Sequence, residues 1–341
     1  HPEWFNKRPD GSIKYAENPP KKYEDIYPID FNTSDRAGLW SEVLSVIRFW
    51  AAKGVRIFRV DNPHTKPIKF WQWLLNEVKK SDPDIIFLSE AFTRPKIMKS
   101  QAKVGFTQSY TYFTWRNFKQ EIEQYFTELT QTDVAEYMRG NLFANTPDIL
   151  PEVLQNAPRS AFKMRATLAA TLSSLWGIYN GFELCENDAL PGKEEYNNSE
   201  KYQYKVWDWN RAGNVKDYLA KLNRIRTGNI ALKQYKNLKF FHSDNEKIIF
   251  YGKYSEDLSN IILVAVNLDP YKKQEGFVDI PVEQLEIKQD ETFQVHDLIT
   301  DNRFFWQGSK NFVSIDPENH PAHIFQLLRW SHKEQDFDYF M

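Results

Sequence analysis

Asp61 closes the run Val55-Arg56-Ile57-Phe58-Arg59-Val60-Asp61, with an arginine two residues before it. In a strand, positions two apart share a face, so this run predicts that Arg59 and Asp61 point the same way. A guanidinium so placed favours an ionised carboxylate and fixes its orientation, which an aspartate nucleophile requires. A second apolar run, Ile85-Ile86-Phe87-Leu88-Ser89-Glu90, closes on an acid 29 residues further on, the length of one strand-helix-strand step. Two carboxylates are therefore expected at the ends of neighbouring parallel strands, on one edge of a sheet. The carboxyl ends of the strands are where (β/α)₈ barrels keep their chemistry. Two carboxyl groups about 5–5.5 Å apart are what retaining glycoside chemistry needs, one as nucleophile and one as acid/base. The plainer reading is an ion pair trimming a strand end and a solvated loop acid. Two strand-end acids one unit apart weaken it.

The elements that must hold these acids show as changes of period. Asp35 to Lys53 carries Leu39, Trp40, Val43, Leu44, Ile47 and Trp50 at helical spacing, and Gly54 follows where a left-handed residue is wanted. The pattern then predicts a strand over Val55–Asn62, a helix over Pro67–Lys80, a strand over Ile85–Glu90 and a helix near Lys96. Gly105–Phe113 reads as a further strand, Phe118–Met138 and Ala161–Ser174 as helices, and Gly177–Glu183 as the last strand of this part. Val215–Arg226, with Tyr218, Leu219, Leu222 and Ile225 on one face, reads as a closing helix. From about Leu232 the period changes to two. Leu238–Ser243, Lys247–Tyr254, Asn260–Asn267, Gly276–Ile280, Thr292–Ile299, Phe304–Gly308, Phe312–Ile315 and Ala322–Arg329 are short runs bounded by Asp, Asn, Gly and Pro. Such spacing predicts a β-sandwich. Two domains are expected, residues 1–231 and 232–341, with Glu194–Ser199 as an exposed loop over the active-site face.

Composition bounds the function classes. With 341 residues, about two domains of ~150 residues are the usual expectation. A formal net charge of −2 leaves no electrostatic footprint for nucleic acid. Aromatics make up 16%, with 11 Trp and 17 Tyr. Sugar rings stack on such side chains, although any one aromatic is more often packing. Cys185 is the single cysteine, which excludes an internal disulfide and fits a reduced cytoplasm. No apolar run approaches the ~20 residues that span a membrane. The seven histidines show no i, i+4 pair and no cysteine neighbours, so no metal or other cofactor is expected. His64 alone sits beside the chemistry, where it either contacts a sugar or packs.

A third acid, Asp148, follows another apolar segment in Asn141-Leu142-Phe143-Ala144-Asn145-Thr146-Pro147-Asp148. The motifs Phe-Arg-Val-Asp, Leu-Ser-Glu-Ala and Phe-x-Asn-x-x-Asp, in that order, resemble the strand-four, strand-five and strand-seven motifs of the α-amylase superfamily. Flanking stretches sharpen the likeness: His1-Pro2-Glu3-Trp4-Phe5, Lys14 through Tyr23, Asp61-Asn62-Pro63-His64-Thr65-Lys66-Pro67, Glu90 through Lys96, and Gln108 through Arg116. They resemble the maltosyltransferase family that uses maltose-1-phosphate, nearly end to end.

The resemblance implies an α/β fold, the carboxyl-terminal part of a (β/α)₈ TIM barrel (strands 4–8), followed by an all-β sandwich domain. Asp61 would be the nucleophile that takes the maltosyl group. Glu90 would be the acid/base that protonates the leaving phosphate and later deprotonates the acceptor hydroxyl. Asp148 would hold sugar hydroxyls. Asn18, Lys21, Tyr23 and Asn62 match positions around the donor phosphate, and an ammonium, a phenol and two amides can all donate to phosphate oxygens. Read without the family, Lys21-Lys22 is an ordinary solvated pair. The implied partners are α-maltose-1-phosphate, an α-1,4-glucan or maltooligosaccharide, phosphate, and a second copy in a homodimer. The likeness also implies that the family's first three strands lie upstream of His1, and that a piece without them is inactive. Amylases usually carry a histidine just before the strand-seven aspartate. Thr146-Pro147 stands there instead, as in the maltosyltransferases, which argues for transfer from phosphate. Two other readings stay open: hydrolysis or transglycosylation of ordinary α-glucan, and glucan binding without catalysis.

Overall fold

The computed structural model of the chain describes residues 1–18, 21–200 and 203–328; Pro19, Pro20, Lys201, Tyr202 and residues 329–341 lie outside it, as do the side chains of Asn18 and Lys21. The described chain divides into two compact units, residues 1–110 and the residues from Thr111 onward.

In the first unit a short antiparallel hairpin, β1 (Ala16–Asn18) and β2 (Lys21–Tyr23), precedes helix α1 (Arg36–Ala52). Asp35 caps α1, its carboxylate accepting the Gly38 N–H at 3.1 Å and the Trp4 indole at 3.1 Å. The helix ends at Gly54, whose φ of +97° is the left-handed value expected there. Strands and helices then alternate: β3 (Ile57–Asp61), α2 (Ile68–Ser81), β4 (Ile86–Glu90), α3 (Pro95–Lys103) and β5 (Gln108–Tyr110). β4 pairs in parallel with β3 on one side and β5 on the other, so all three carboxyl ends share an edge. The strand expected over Gly105–Phe113 is shorter. Only Gln108–Tyr110 is extended, and Tyr112–Trp115 coils into a 3₁₀ turn. Leu39, Leu44, Phe70, Leu74, Leu75, Val78, Ile85 and Phe87 form the core between α1, α2 and the sheet. Each such side chain contributes roughly 1.5–3 kcal/mol when fully buried.

The second unit continues with α4 (Lys119–Gln131), α5 (Val134–Tyr137), β6 (Gly140–Phe143), α6 (Arg159–Leu172), β7 (Leu175–Gly177), α7 (Lys216–Gly228) and α8 (Ile230–Lys233). One helix is expected over 118–138, but two form. Thr132 breaks the run with extended backbone, its hydroxyl donating to the Glu128 carbonyl at 2.6 Å and accepting from the Val134 N–H at 3.3 Å. β6 and β7 pair in parallel. The last strand, expected over Gly177–Glu183, is Leu175–Gly177 instead. Two glycines stand at and after its end: a Cβ on Gly177 would sit 2.6 Å from the Phe143 ring, and Gly181, at φ +94°, turns the chain into the 3₁₀ segment Phe182–Leu184. α6 is buried on nearly every side, which is why its pattern shows little stripe. Its Arg165, 1% exposed, donates to the main-chain carbonyls of Phe113 and Arg116 and lies 3.7 Å over the Phe113 ring.

The β-rich part carries β8 (Leu238–Phe241), β9 (Ile248–Tyr254), β10 (Ile261–Asn267), β11 (Gln274–Asp279), β12 (Thr292–Asp297), β13 (Arg303–Gln307), β14 (Lys310–Ile315) and β15 (Ala322–Leu328). Six strands form an antiparallel sheet in the order β13-β12-β15-β10-β9-β8, and β11 pairs with β14 separately. Phe250, Leu263, Val278, Phe293, Val313, Ile315 and Phe325 fill the space between them, the sandwich that the period of two predicts. β9 and β10 are buried on both faces because α6 covers the second one, where Thr171 and Tyr251 share a hydroxyl hydrogen bond of 2.6 Å.

A His323–Asp297 pair, its carboxylate fully buried and its ring partly so, ties β15 to the end of β12. Nδ1 lies 2.9 Å from Asp297 Oδ2, and Nε2 lies 3.1 Å from the Ser314 carbonyl oxygen, so both ring nitrogens face acceptors. Burial alone would lower the histidine's pKa, but the Asp297 carboxylate raises it above the usual value. Burial would raise Asp297, but His323 and the hydroxyl of Thr300 hold it below the usual range. The histidine's contribution to stability is therefore full below pH ~6.5 and lost as pH rises through its elevated pKa; the aspartate's is full above pH ~4 and lost on acidification. Thermal melts should show a decline as pH rises above ~6.5 that His323→Gln removes. An unchanged decline in that variant would assign it to other groups.

Candidate active site

β3 and β4 are in register, Asp61 opposite Glu90, so the two acids end adjacent parallel strands on one edge. Arg59, two residues before Asp61, reaches both: its guanidinium nitrogens lie 3.8 Å from Asp61 Oδ2 and 3.5 Å from Glu90 Oε1. The two carboxylates live in different surroundings, the Asp61 side chain 68% exposed and that of Glu90 10%. The exposed one can meet an incoming carbon, while the buried one is held. The main-chain N–H of Asn62 donates to both the carbonyl of Glu90, at 3.1 Å, and its carboxylate Oε2, at 3.2 Å. Asn62 itself is left-handed, with φ 44° and ψ 51°, a conformation Asn tolerates better than most residues, and it turns the chain away from the strand. The next turn, Pro63–Thr65, is fixed by the Thr65 hydroxyl on the Asn62 carbonyl at 2.8 Å and by the Trp71 indole on the Pro63 carbonyl at 2.8 Å.

His64 stands in that turn. Burial lowers its pKa, the Lys66 charge adds to the effect and Asp61 opposes it, so at neutral pH the ring is an uncharged neighbour of the carboxylate. Its Nδ1 is buried with no hydrogen-bond partner among the described residues. Lys66 is itself lowered by burial, against Asp61. Tyr110, at the end of β5, is raised by burial and hydrogen-bonds to Arg59. Neither Tyr110 nor Lys66 is among the residues that the sequence singles out. Tyr110 had a signal, since it closes the strand after the one that carries Glu90.

The structure thus brings together Arg59, Asp61, Asn62, His64 and Glu90. Tyr23 lies on β2, 36% exposed. The side chains of Asn18 and Lys21 lie outside the described atoms; their backbones pair across the hairpin. Among the described residues the one grouping with metal-ligand spacing is His1, Glu3 and Asp35, all exposed, and Asp35 is already occupied as a helix cap.

Asp148 belongs to the second unit. Thr146 Oγ1 accepts the N–H groups of Asp148 at 3.3 Å and Ile149 at 3.0 Å, a tight turn that presents the acid after β6. Asn145, three residues earlier, is buried; its Nδ2 donates to the Tyr196 hydroxyl at 2.6 Å and its Oδ1 accepts the Tyr179 N–H at 2.7 Å. Burial, then the charges of Glu200 and Asp148, push the Tyr179 phenol up to about 12, so it stays protonated. The segment expected as an exposed loop, Glu194–Ser199, is anchored instead. Tyr196 is 6% exposed, and Glu194 accepts the Trp115 indole at 2.8 Å. The aromatic ring inside a polar stretch overrides the composition.

Parallel strands with alternating helices, acids at their carboxyl ends and a β-sandwich following in the chain define an α-amylase fold. The α-amylase of Geobacillus thermoleovorans, solved with acarbose, matches with a TM-score of 0.74 over 96% of this chain and 72% of that one, at 14% identity. The Lactobacillus plantarum α-amylase matches with 0.68 over 96% and 74%, at 16% identity. The chain's sequence is much closer to other proteins. It is 55% identical over 340 residues to the α-1,4-glucan:maltose-1-phosphate maltosyltransferase of Myxococcus xanthus, covering 100% of this chain and 51% of that protein. With maltosyltransferase 1 of Streptomyces coelicolor it is 52% identical over 339 residues, 98% of this chain and 50% of that protein. Residues 240–327 match the family model "GLGE, C-terminal". The chain belongs to the α-1,4-glucan:maltose-1-phosphate maltosyltransferase family and spans about half the length of the curated relatives it matches. No helix among the described residues is long and apolar enough to cross a membrane.

Proposed function

We propose that this chain carries the reacting carboxylates of a retaining glycosyltransferase, which moves a maltosyl unit from α-maltose-1-phosphate to the non-reducing end of an α-1,4-glucan. The observation that carries this reading is the register of Asp61 against Glu90 with Arg59 between them, in a chain so similar to named maltosyltransferases. Asp61 attacks the anomeric carbon and the bond to the phosphate oxygen breaks, while Glu90 gives its proton to the departing phosphate. Glu90 then takes the proton of the acceptor hydroxyl, whose oxygen displaces Asp61 and restores the original configuration. Asp148 holds sugar hydroxyls as charge develops on the ring. Arg59 orients both acids, and His64 faces the sugar as a neutral ring. Asn18, Lys21, Tyr23 and Asn62 receive the phosphate. Residues 1–231 make up the barrel part and residues 232–341 the β-domain. Glycogen-type α-glucan synthesis in the cytoplasm, by a homodimer, belongs to the same reading.

Hydrolysis of ordinary α-glucan would use the same acids without a phosphate site, so the donor decides between the two. The full-length enzyme given α-maltose-1-phosphate and maltohexaose should release inorganic phosphate in step with chains longer by maltosyl units. Free maltose from maltohexaose, with no response to the phosphorylated donor, would overturn the proposal. Lys21→Ala should raise KM for maltose-1-phosphate by roughly ten- to a hundredfold, the equivalent of one charge-assisted hydrogen bond at ~1.5–3 kcal/mol. Binding of neutral maltodextrin should hardly change; equal losses for both ligands would make Lys21 a structural residue.

A further inference from the structure

Glu200 receives three donors. Its Oε1 accepts the Trp207 indole N–H at 2.7 Å, and its Oε2 accepts Asn180 Nδ2 at 3.0 Å and the Tyr179 hydroxyl at 3.2 Å. All three donors are neutral, and the nearby Lys205 charge adds to their effect on the carboxylate. Burial would raise its pKa, and the three donors hold it below the usual range. The Trp207 ring is also seated on Gly181: a Cβ there would lie 2.7 Å from the indole, and φ is +94°, so the backbone and the ring agree on glycine. Two ion pairs pin the same stretch to Glu186, from Lys205 at 3.4 Å and Arg211 at 2.6 Å. Residues 203–211 contain no helix or strand, so these side chains fix the segment in the absence of a backbone ladder. Its facing alternates: Lys205 and Trp207 turn inward, whereas Tyr204 and Val206 are 94% and 87% exposed.

The other end of this network reaches the third acid. Tyr179 donates its hydroxyl to Glu200 and its main-chain N–H to Asn145, on the turn that presents Asp148, and it lies within the field of Asp148. We propose that Glu200 is a positioning residue: by gathering Tyr179, Asn180 and Trp207 it fixes the segment from Gln203 to Arg211 as a wall of the sugar site at Asp148. This rests on the reading of Asp148 as a sugar-binding acid.

Two variants of the full-length enzyme dislodge the segment by independent routes. Glu200→Gln presents an NH₂ group to at least one of three donors, while Gly181→Ala pushes the Trp207 ring off its seat. Trp207→Phe identifies the fluorescence of that one indole by difference. Both variants should red-shift the Trp207 emission and speed tryptic cleavage at Lys205 or Arg211. Both should raise KM for maltose-1-phosphate or maltohexaose by about tenfold, with kcat within about twofold of the parent. The proposal is overturned if the segment loosens and both KM values stay put. It is also overturned if kcat and thermal stability fall together at unchanged KM, or if emission and cleavage do not change. Emission and cleavage do not depend on turnover. A parent enzyme without maltosyl transfer would therefore defeat the reading of the site, leaving the clamp to be judged on those two signals.

Discussion

Asp61→Ala in the full-length enzyme is expected to lower maltosyl transfer on the order of 10⁴-fold or more, because it removes the proposed nucleophile. Glu90→Ala should behave differently. Without the acid, phosphate leaves poorly, but α-maltosyl fluoride has a leaving group that needs no proton, so Asp61 can still be maltosylated. With no base to activate the acceptor, the adduct should then persist. Intact mass spectrometry of Glu90→Ala with maltosyl fluoride should show the mass of one maltosyl unit added, and peptide mapping should place it on Asp61. Absence of that adduct, or near-normal activity in Asp61→Ala, would remove the double-displacement reading. The asymmetry follows from the exposures: the side chain of Asp61 is 68% exposed, whereas Glu90 is buried and held by the Asn62 N–H.

Arg165→Leu should cost about 1–3 kcal/mol of stability, the scale of a buried carbonyl that loses its donor. The guanidinium is fully enclosed, donates to the main-chain carbonyls of Phe113 and Arg116, and covers the Phe113 ring. Leucine fills part of the volume but removes the Arg165 donor from the Arg116 carbonyl and leaves the Phe113 carbonyl with the Arg116 N–H at 3.0 Å. Lysine should recover little, because a single ammonium cannot lie flat on the ring while serving two carbonyls. Urea unfolding of the three proteins tests this. A loss below about 1 kcal/mol for leucine would mean that water or a backbone shift satisfies the carbonyls.

Much of the strand-end geometry is legible in the sequence because it is local. Arg59 and Asp61 share a face by the period of two, and Asp61 meets Glu90 because βα units repeat at a fixed length. The β-rich strands are also found within a few residues of their observed limits, since turn residues punctuate them and one face packs inward. The missed features involve pairs distant in sequence. Gly177 leaves room for the Phe143 ring, and Tyr196 is buried against Asn145; neither partner falls within one period of the other. The donors on Glu200 come from separate loops, so its polar surroundings look like solvent-exposed chain. α6 hides its stripe because it is covered on nearly all sides.

Asn62 divides its duties between main chain and side chain, and that division bears on how the site could be re-engineered. The N–H that steadies Glu90 survives every substitution except proline. What must be kept is the left-handed backbone, which Gly, Asp and His accept more readily than a β-branched residue does. Under the proposed function, donor preference can therefore be varied at position 62 while the Glu90 carboxylate keeps its place. A library restricted to those residue types would explore leaving-group selectivity without disarming the enzyme.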